Sequence, residues 1–242
     1  MYSIETLSLT KKYKDVTAVD GLDLKVRSGE IFSLLGVNGA GKTTAIRMLS
    51  CLTEPTSGTA TVGGADLLRE SERIKRMIGI SPQETAVAPG LSTRENLELI
   101  AGVYGFGKEK TEEKIRELSK TFGLDSVLGK RAGKLSGGWQ RRLSIAMALI
   151  SEPKILFLDE PTLGLDVIAR SELWDVIRSL KGRATVILTT HYMEEAEALS
   201  DRIGIMKSGR LLTVGTASEI MEKTGKTRFE EAFISVVKEA SV

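Results

Sequence analysis

The chain lacks what several protein classes require. It has a single cysteine, Cys51, so no internal bridge can form, and a disulfide-stapled secreted scaffold is excluded. The longest apolar run, Ile145 to Ile150, falls far short of the ~20 residues that a membrane helix needs. Met1-Tyr2-Ser3-Ile4-Glu5 carries no basic-then-apolar leader. The expectation is a cytoplasmic chain that meets a membrane only through a partner. Charge of one sign is also missing: 34 basic residues against 32 acidic ones leave +2, which gives no footprint for nucleic acid. No internal repeat and no low-complexity linker interrupts the pattern. What is present is globular: 242 residues, 41 % hydrophobic and 27 % charged, enough for one large domain or a domain with a subdomain. Glycine is in excess, at 24 residues, and is concentrated at 36–41, 63–64 and 137–138. Such clusters suit a backbone that approaches something closely.

Periodicity supplies the elements. Leu22, Leu24 and Val26 alternate with charged residues and predict a half-buried strand. Short apolar strands are expected at 30–35, 60–62, 77–80 and 185–189, with helices over 42–52, 138–150, 167–181 and 193–199. Ile155-Leu156-Phe157-Leu158 is a continuous apolar strand of the kind buried on both faces of a parallel sheet. Residues 92–122 read as helical, opened by the capping box Ser92-Thr93-Arg94-Glu95, and within them 109–121 reads as a charged, exposed helix with a solvated face. Residues 203–206 and 211–214 flank Lys207-Ser208-Gly209-Arg210, a hairpin signal. Phe229, Ala232, Phe233, Val236, Val237 and Ala240 recur at helical spacing, which predicts an amphipathic tail docked on its own domain. Strands alternating with helices argue an α/β fold with a mostly parallel core sheet.

Four motifs carry chemistry. Gly36-Val37-Asn38-Gly39-Ala40-Gly41-Lys42-Thr43 fits the phosphate-binding loop G-x-x-x-x-G-K-[ST]. Its glycines let backbone N–H groups turn inward around phosphate oxygens, and the following helix aims its positive end there. Lys42 is placed to neutralise phosphate charge, and the Thr43 hydroxyl to ligate Mg²⁺. Strand 155–158 then delivers Asp159 and Glu160 to its C-terminal end, where α/β sheets bind ligands. Asp159 suits a magnesium-holding role, and Glu160 is a candidate base for water attacking a γ-phosphate. Third, Leu135-Ser136-Gly137-Gly138-Trp139 opens a helix at a second bare anion-binding end. One phosphate chain does not need two such ends in one subunit, so the second is expected to serve another subunit's nucleotide. Fourth, His191, the sole histidine, follows the strand ending at Thr189-Thr190.

These motifs together resemble the nucleotide-binding subunit of an ATP-binding cassette (ABC) transporter over nearly the whole chain. Residues 36–44, ending in Thr43 and Thr44, resemble its Walker A loop, and Leu158-Asp159-Glu160 the end of Walker B. Leu135 to Trp139 resembles the signature, usually L-S-G-G-Q. Ile80-Ser81-Pro82-Gln83 resembles the Q-loop, Leu163-Gly164-Leu165-Asp166 the D-loop, and Thr190-His191 the switch histidine. Tyr13 sits where the family stacks an aromatic on adenine.

The resemblance implies a P-loop NTPase core with an antiparallel N-terminal β region and an inserted all-helical signature subdomain. A single ABC ATPase domain spanning 1–242 is expected, with core segments 1–83 and 152–242, a helical subdomain at 84–151 and a C-terminal tail at 216–242. It also implies a mechanism. Two cassettes, alike or different, sandwich two ATP molecules. Ser136, Gly137 and Gly138 of one chain face the Walker A of the other. Gln83 senses Mg²⁺ and the γ-phosphate and touches an integral membrane subunit, Asp166 links the two sites, and His191 supports Glu160. Such a chain would lie on the inner face of the cell membrane.

Met193-Glu194-Glu195-Ala196-Glu197 and Arg141-Arg142-Leu143-Ser144 resemble the exporter branch that handles drugs, antibiotics, polysaccharides or sodium. The sequence departs from the family pattern at Val37, where proline is common, and at Trp139, where glutamine is usual. Trp139 is expected to lie exposed in the monomer. Two other classes fit less well. A soluble ABC ATPase acting on ribosomes or nucleic acid usually carries two cassettes or a coiled-coil insert, and basic arms. A P-loop kinase has no use for the signature or His191.

Overall fold

A computed structural model describes residues 1–240; the last two residues of the expected tail, 241 and 242, lie outside the described residues. Two sheets form the frame. The first joins β1 (Tyr2–Tyr13), β2 (Val16–Leu22), β3 (Lys25–Arg27), β5 (Ser57–Val62) and β6 (Ala65–Asp66) in the order β2-β1-β5-β6, with β3 beside β1, and its pairings are antiparallel. The second joins β4 (Ile31–Leu35), β7 (Ile78–Ser81), β8 (Ile155–Asp159), β9 (Thr185–Thr190), β10 (Arg202–Lys207) and β11 (Arg210–Gly215) in the order β11-β10-β4-β9-β8-β7. It is parallel except for the β10–β11 hairpin. Every residue of β4, β8 and β9 is buried, which is why these segments read as unbroken apolar runs.

Helices follow the strands: α1 (Lys42–Leu49) after β4, α2 (Ser71–Met77) before β7, α6 (Val167–Ser179) after β8 and α7 (Met193–Leu199) after β9. Between β7 and β8 lie only helices, α3 (Thr93–Val103), α4 (Lys108–Phe122) and α5 (Gly137–Leu149), with two short 3-10 turns. Their apolar faces meet the sheet through Leu97, Ile115, Phe122, Leu143 and Ile145, packed with Leu156 and Leu158. The tail supplies α8 (Ala217–Thr224) and α9 (Phe229–Glu239). Phe229, Ala232 and Phe233 of α9 pack on Leu35, Ala196, Ile203 and Ile205, so the tail does dock on its own domain.

Several boundaries differ from expectation. The alternation Leu22, Leu24, Val26 spans the end of β2, a break at 23–24 and β3. All three side chains are buried against the same strand, but Asp23 accepts the Ser8 N–H (2.6 Å), and this contact interrupts the ladder. The helix expected over 42–52 stops at Leu49, because the chain reverses through Cys51 at φ 58°. Met77 ends α2 instead of opening a strand. The helical stretch 92–122 divides at Gly105 (φ 72°) and Gly107, and the charged helix expected at 109–121 is α4. The capping box at Ser92 and Glu95 is present.

Candidate active site

The C-terminal ends of β4, β7, β8 and β9 bring their following loops to one edge of the parallel sheet. Residues 38–44, Gln83, Glu160 and His191 line an open cavity there of about 630 Å³. The phosphate-loop glycines are needed sterically. A Cβ on Gly36 would lie 2.4 Å from the Met206 carbonyl oxygen. Gly41 holds φ 99°, and a Cβ there would lie 2.4 Å from the Ala18 carbonyl oxygen. The β10–β11 hairpin tip buttresses the loop from outside, with the Gly209 N–H donating to Ala40 O (3.0 Å). Helix α1 follows its N-cap Gly41 with no side-chain cap and no acid in its first turn, so its N–H groups remain open to an anion.

The charged groups are tightly engaged. Lys42, 6 % exposed, donates to Gly36 O (2.6 Å) and lies 3.3 Å from Glu160 Oε1. The other carboxylate oxygen of Glu160 lies 2.8 Å from His191 Nδ1. Glu160 stands at φ 50°, a left-handed conformation that costs about 1–3 kcal/mol for a residue with a side chain. Its N–H is held by the Thr189 hydroxyl (3.0 Å). Thr189 also donates to Asp159 Oδ1, and the Thr43 hydroxyl reaches the same oxygen at 3.1 Å. One hydroxyl and one carboxylate, with the Gln83 amide on the same cavity wall, form a sparse oxygen set. It matches Mg²⁺, which keeps several waters and binds through few carboxylates plus substrate phosphates. No group of three or more His, Cys, Asp or Glu able to hold a metal occurs among the described residues.

The signature lies elsewhere. Ser136, Gly138, Trp139 and Asp166 border a separate cavity of about 300 Å³ that shares no lining residue with the first. Ser136 stands at the N-cap of α5, yet its side chain caps nothing, and the first turn has no acid. Helices α3, α6 and α8 do use their cap side chains. Asp166 is one of these caps: its carboxylate accepts from the N–H groups of Ile168 (3.0 Å) and Ala169 (2.9 Å). Trp139 is half-buried against the helical core, not exposed, with the Arg142 guanidinium 5.1 Å from its ring centroid. Gly137, at the first turn of α5, is exposed. Tyr13 ends β1 beside Val16 with Lys11 over its ring, and it does not line the larger cavity; Val16, Thr17 and Ala18 do.

Two residues that the sequence marked only as resembling the exporter branch turn out to be buried charged groups. Arg141, 5 % exposed, donates to the carbonyls of Pro82 (2.7 Å) and Gln83 (2.5 Å), fastening the signature helix to the Gln83 segment. Burial pulls its proton affinity down, and Asp159 and Glu195 oppose that pull. Glu195 is fully buried, and burial raises its carboxyl above the ordinary value near 4.5. Each stands next to a like charge, Arg142 or Glu194, and so reads as part of a solvated pair. The signal that marks Glu195 is its spacing of four from Leu199, which puts it on the buried face of α7.

Comparison with known proteins places this geometry in context. The family model described as "ABC transporter" matches residues 19–163. The daunorubicin resistance ATP-binding protein DrrA3 of Streptomyces coeruleorubidus is 44 % identical over 221 residues, covering 91 % of this chain and 70 % of that protein. The probable multidrug ABC transporter ATP-binding protein YbhF of Escherichia coli (strain K12) is 40 % identical over 240 residues, 97 % of this chain and 41 % of that protein. Among solved structures, a dimeric ATP-binding cassette in a post-hydrolysis state, bound to ADP and Pi, superposes with a TM-score of 0.81 at 28 % identity, covering 88 % of this chain and 98 % of that one.

Proposed function

The chain belongs to the ABC transporter family of ATP-binding proteins, and from that premise we propose that it is the ATPase of an exporter, binding and hydrolysing ATP between two cassettes. The observation that carries the reading is the separation of the two anion-ready helix ends. One borders the cavity that holds Lys42 and Glu160. The other opens beside Ser136 on a different surface of the same chain. A second cassette, identical or a sibling, would bring its own phosphate loop to that end.

Residues 38–44 would wrap the phosphates, with Lys42 leaving Glu160 to meet them. Asp159, Thr43 and Gln83 would hold Mg²⁺, which supplies charge neutralisation on the phosphates when bound. Glu160, freed from Lys42, would take the proton of the attacking water while His191 keeps its carboxylate aimed. The exporter reading draws on the named drug-resistance relatives. Among the described residues no helix is long and apolar enough to cross a membrane. In this reading the transport path is a separate membrane subunit, as the family resemblance implies. An apolar groove of about 330 Å³, with Ile80, Ile100 and the exposed Leu52 and Val103, offers its cytoplasmic segment a seat beside the Gln83 segment. Docking there would hold the cassette on the inner face of the membrane, with residues 84–151 moving as a helical subdomain.

The test is turnover of the full chain carrying Glu160→Gln, which keeps shape and loses the base. ATP binding should persist while hydrolysis falls at least ~100-fold, the usual contribution of a positioned base. Normal hydrolysis by this variant would overturn the assignment of Glu160.

A further inference from the structure

Four acids are buried among the described residues: Glu30, Asp159, Glu160 and Glu195. Glu30 pairs with Arg202, Glu160 with Lys42, and Asp159 accepts from two threonine hydroxyls. Glu195 is the most deeply buried, at 0 % exposure, and it has no ion-pair partner among the described residues. Its Oε1 accepts from the Thr162 hydroxyl (2.7 Å) and from Trp174 Nε1 (3.1 Å). Its Oε2 is buried with no hydrogen-bond partner. The Thr190 hydroxyl faces the same carboxyl. An acid kept in such a place must do more than fill space, since an apolar residue there would avoid the desolvation cost.

The three neighbours come from three segments. Thr162, itself fully buried, lies two residues beyond Glu160. Thr190 ends β9 immediately before His191, and its hydroxyl accepts from the Tyr192 N–H (3.0 Å). Trp174 stands on α6. Glu195 itself sits on α7, four residues after His191. The carboxyl therefore reaches from α7, the helix that follows His191, to the segment that follows Glu160.

We propose that Glu195 is a positioning residue for hydrolysis, its carboxyl tying the segment after Glu160 to the segment bearing His191 so that the two keep their register. This rests on the reading of Glu160 as base. Glu195 itself touches no reacting atom; it acts through its hydrogen bond to Thr162 and through its own helix, which follows His191. A neutral amide can accept from Thr162 and Trp174 as the acid does, whereas an alkyl side chain cannot.

Steady-state ATPase of the full chain tests this with four variants. Glu195→Leu keeps the volume and loses the acceptor. Thr162→Val cuts only the link to the Glu160 segment. Both should lower kcat by roughly 10²-fold, the cost of a small misplacement of reacting groups, with little change in KM. Glu195→Gln should restore kcat. Trp174→Phe removes the other donor to the same oxygen, and it should lower the melting temperature without lowering kcat. If Glu195→Leu does not fold, Thr162→Val carries the decision. Unchanged kcat in Thr162→Val, or an equal loss of kcat in Trp174→Phe, would overturn the proposal and leave Glu195 as a packing hub. Full turnover in Glu160→Gln would instead remove the reading beneath it, and this inference with it.

Discussion

At the scale of single residues, much of the lining of the candidate cavity could be read in advance because each motif joins a backbone requirement to a charge requirement. Lys42 after Gly41, and Glu160 after an apolar strand, leave few alternatives once the phosphate loop is seen. Arg141 and Glu195 escaped because a charge within a charged run looks solvated in sequence. Only the packed structure shows that Arg141 meets two carbonyls and that Glu195 faces inward. Glu195 also makes stability depend on pH. Its folded carboxyl binds its proton more tightly than the unfolded one, through burial first and the nearby Glu160 charge last; Arg141 on α5 is the cation that faces it. The folded state thus holds more protons, so this group's contribution is greatest below the unfolded value near 4.5 and is lost as pH rises toward the folded value. Glu195→Gln removes that loss. The variant's stability relative to the unsubstituted chain, measured by urea unfolding, should rise from pH 4.5 to pH 7, by about 1.4 kcal/mol for each unit that the carboxyl is displaced. A difference that stays flat over this range would show that Glu195 titrates normally in the fold.

At the scale of elements, legibility followed burial. Strands β4, β8 and β9 are buried on both faces and announce themselves as apolar runs. Strands β1 and β2 gave little signal. In β1 the alternation breaks at Ser8 (φ 49°), where the register against β5 shifts, and two of its buried positions are Thr6 and Thr10. Helix α2 buries only Ile74 of seven residues, too little for a visible period. The tail helix α9 was visible because Phe229, Ala232 and Phe233 fall on one face. Its docking on Leu35 braces the strand that enters the phosphate loop. Phe229→Ala should cost about 3–5 kcal/mol by opening a cavity there. Thermal unfolding should show the loss, while kcat measured well below the transition should hold. A melting temperature equal to that of the unsubstituted chain would mean that α9 docks too loosely to brace anything.

At the scale of the whole molecule, the fold sets two uncapped helix ends on one chain, each beside its own cavity. Lys42 and Glu160 stand at the parallel sheet's edge, and Ser136 opens an uncapped helix bordering a different cavity. The sequence held both motifs, but not the distance between them. That separation depends on how the helices of 93–149 pack on the sheet, through contacts such as Leu143 and Ile145 with Leu158 that are remote in sequence. Closure of two cassettes over ATP is therefore the central claim, and the most direct measurement is the mass of the full chain in solution. With Glu160→Gln to stop hydrolysis, light scattering on a sizing column should show monomer without nucleotide and twice that mass at saturating ATP. Adding Ser136→Arg, which places bulk and charge only at the second anion end, should hold the chain as monomer while leaving ATP binding intact. A chain that stays monomeric at saturating ATP, or one that dimerises despite Ser136→Arg, would contradict the account.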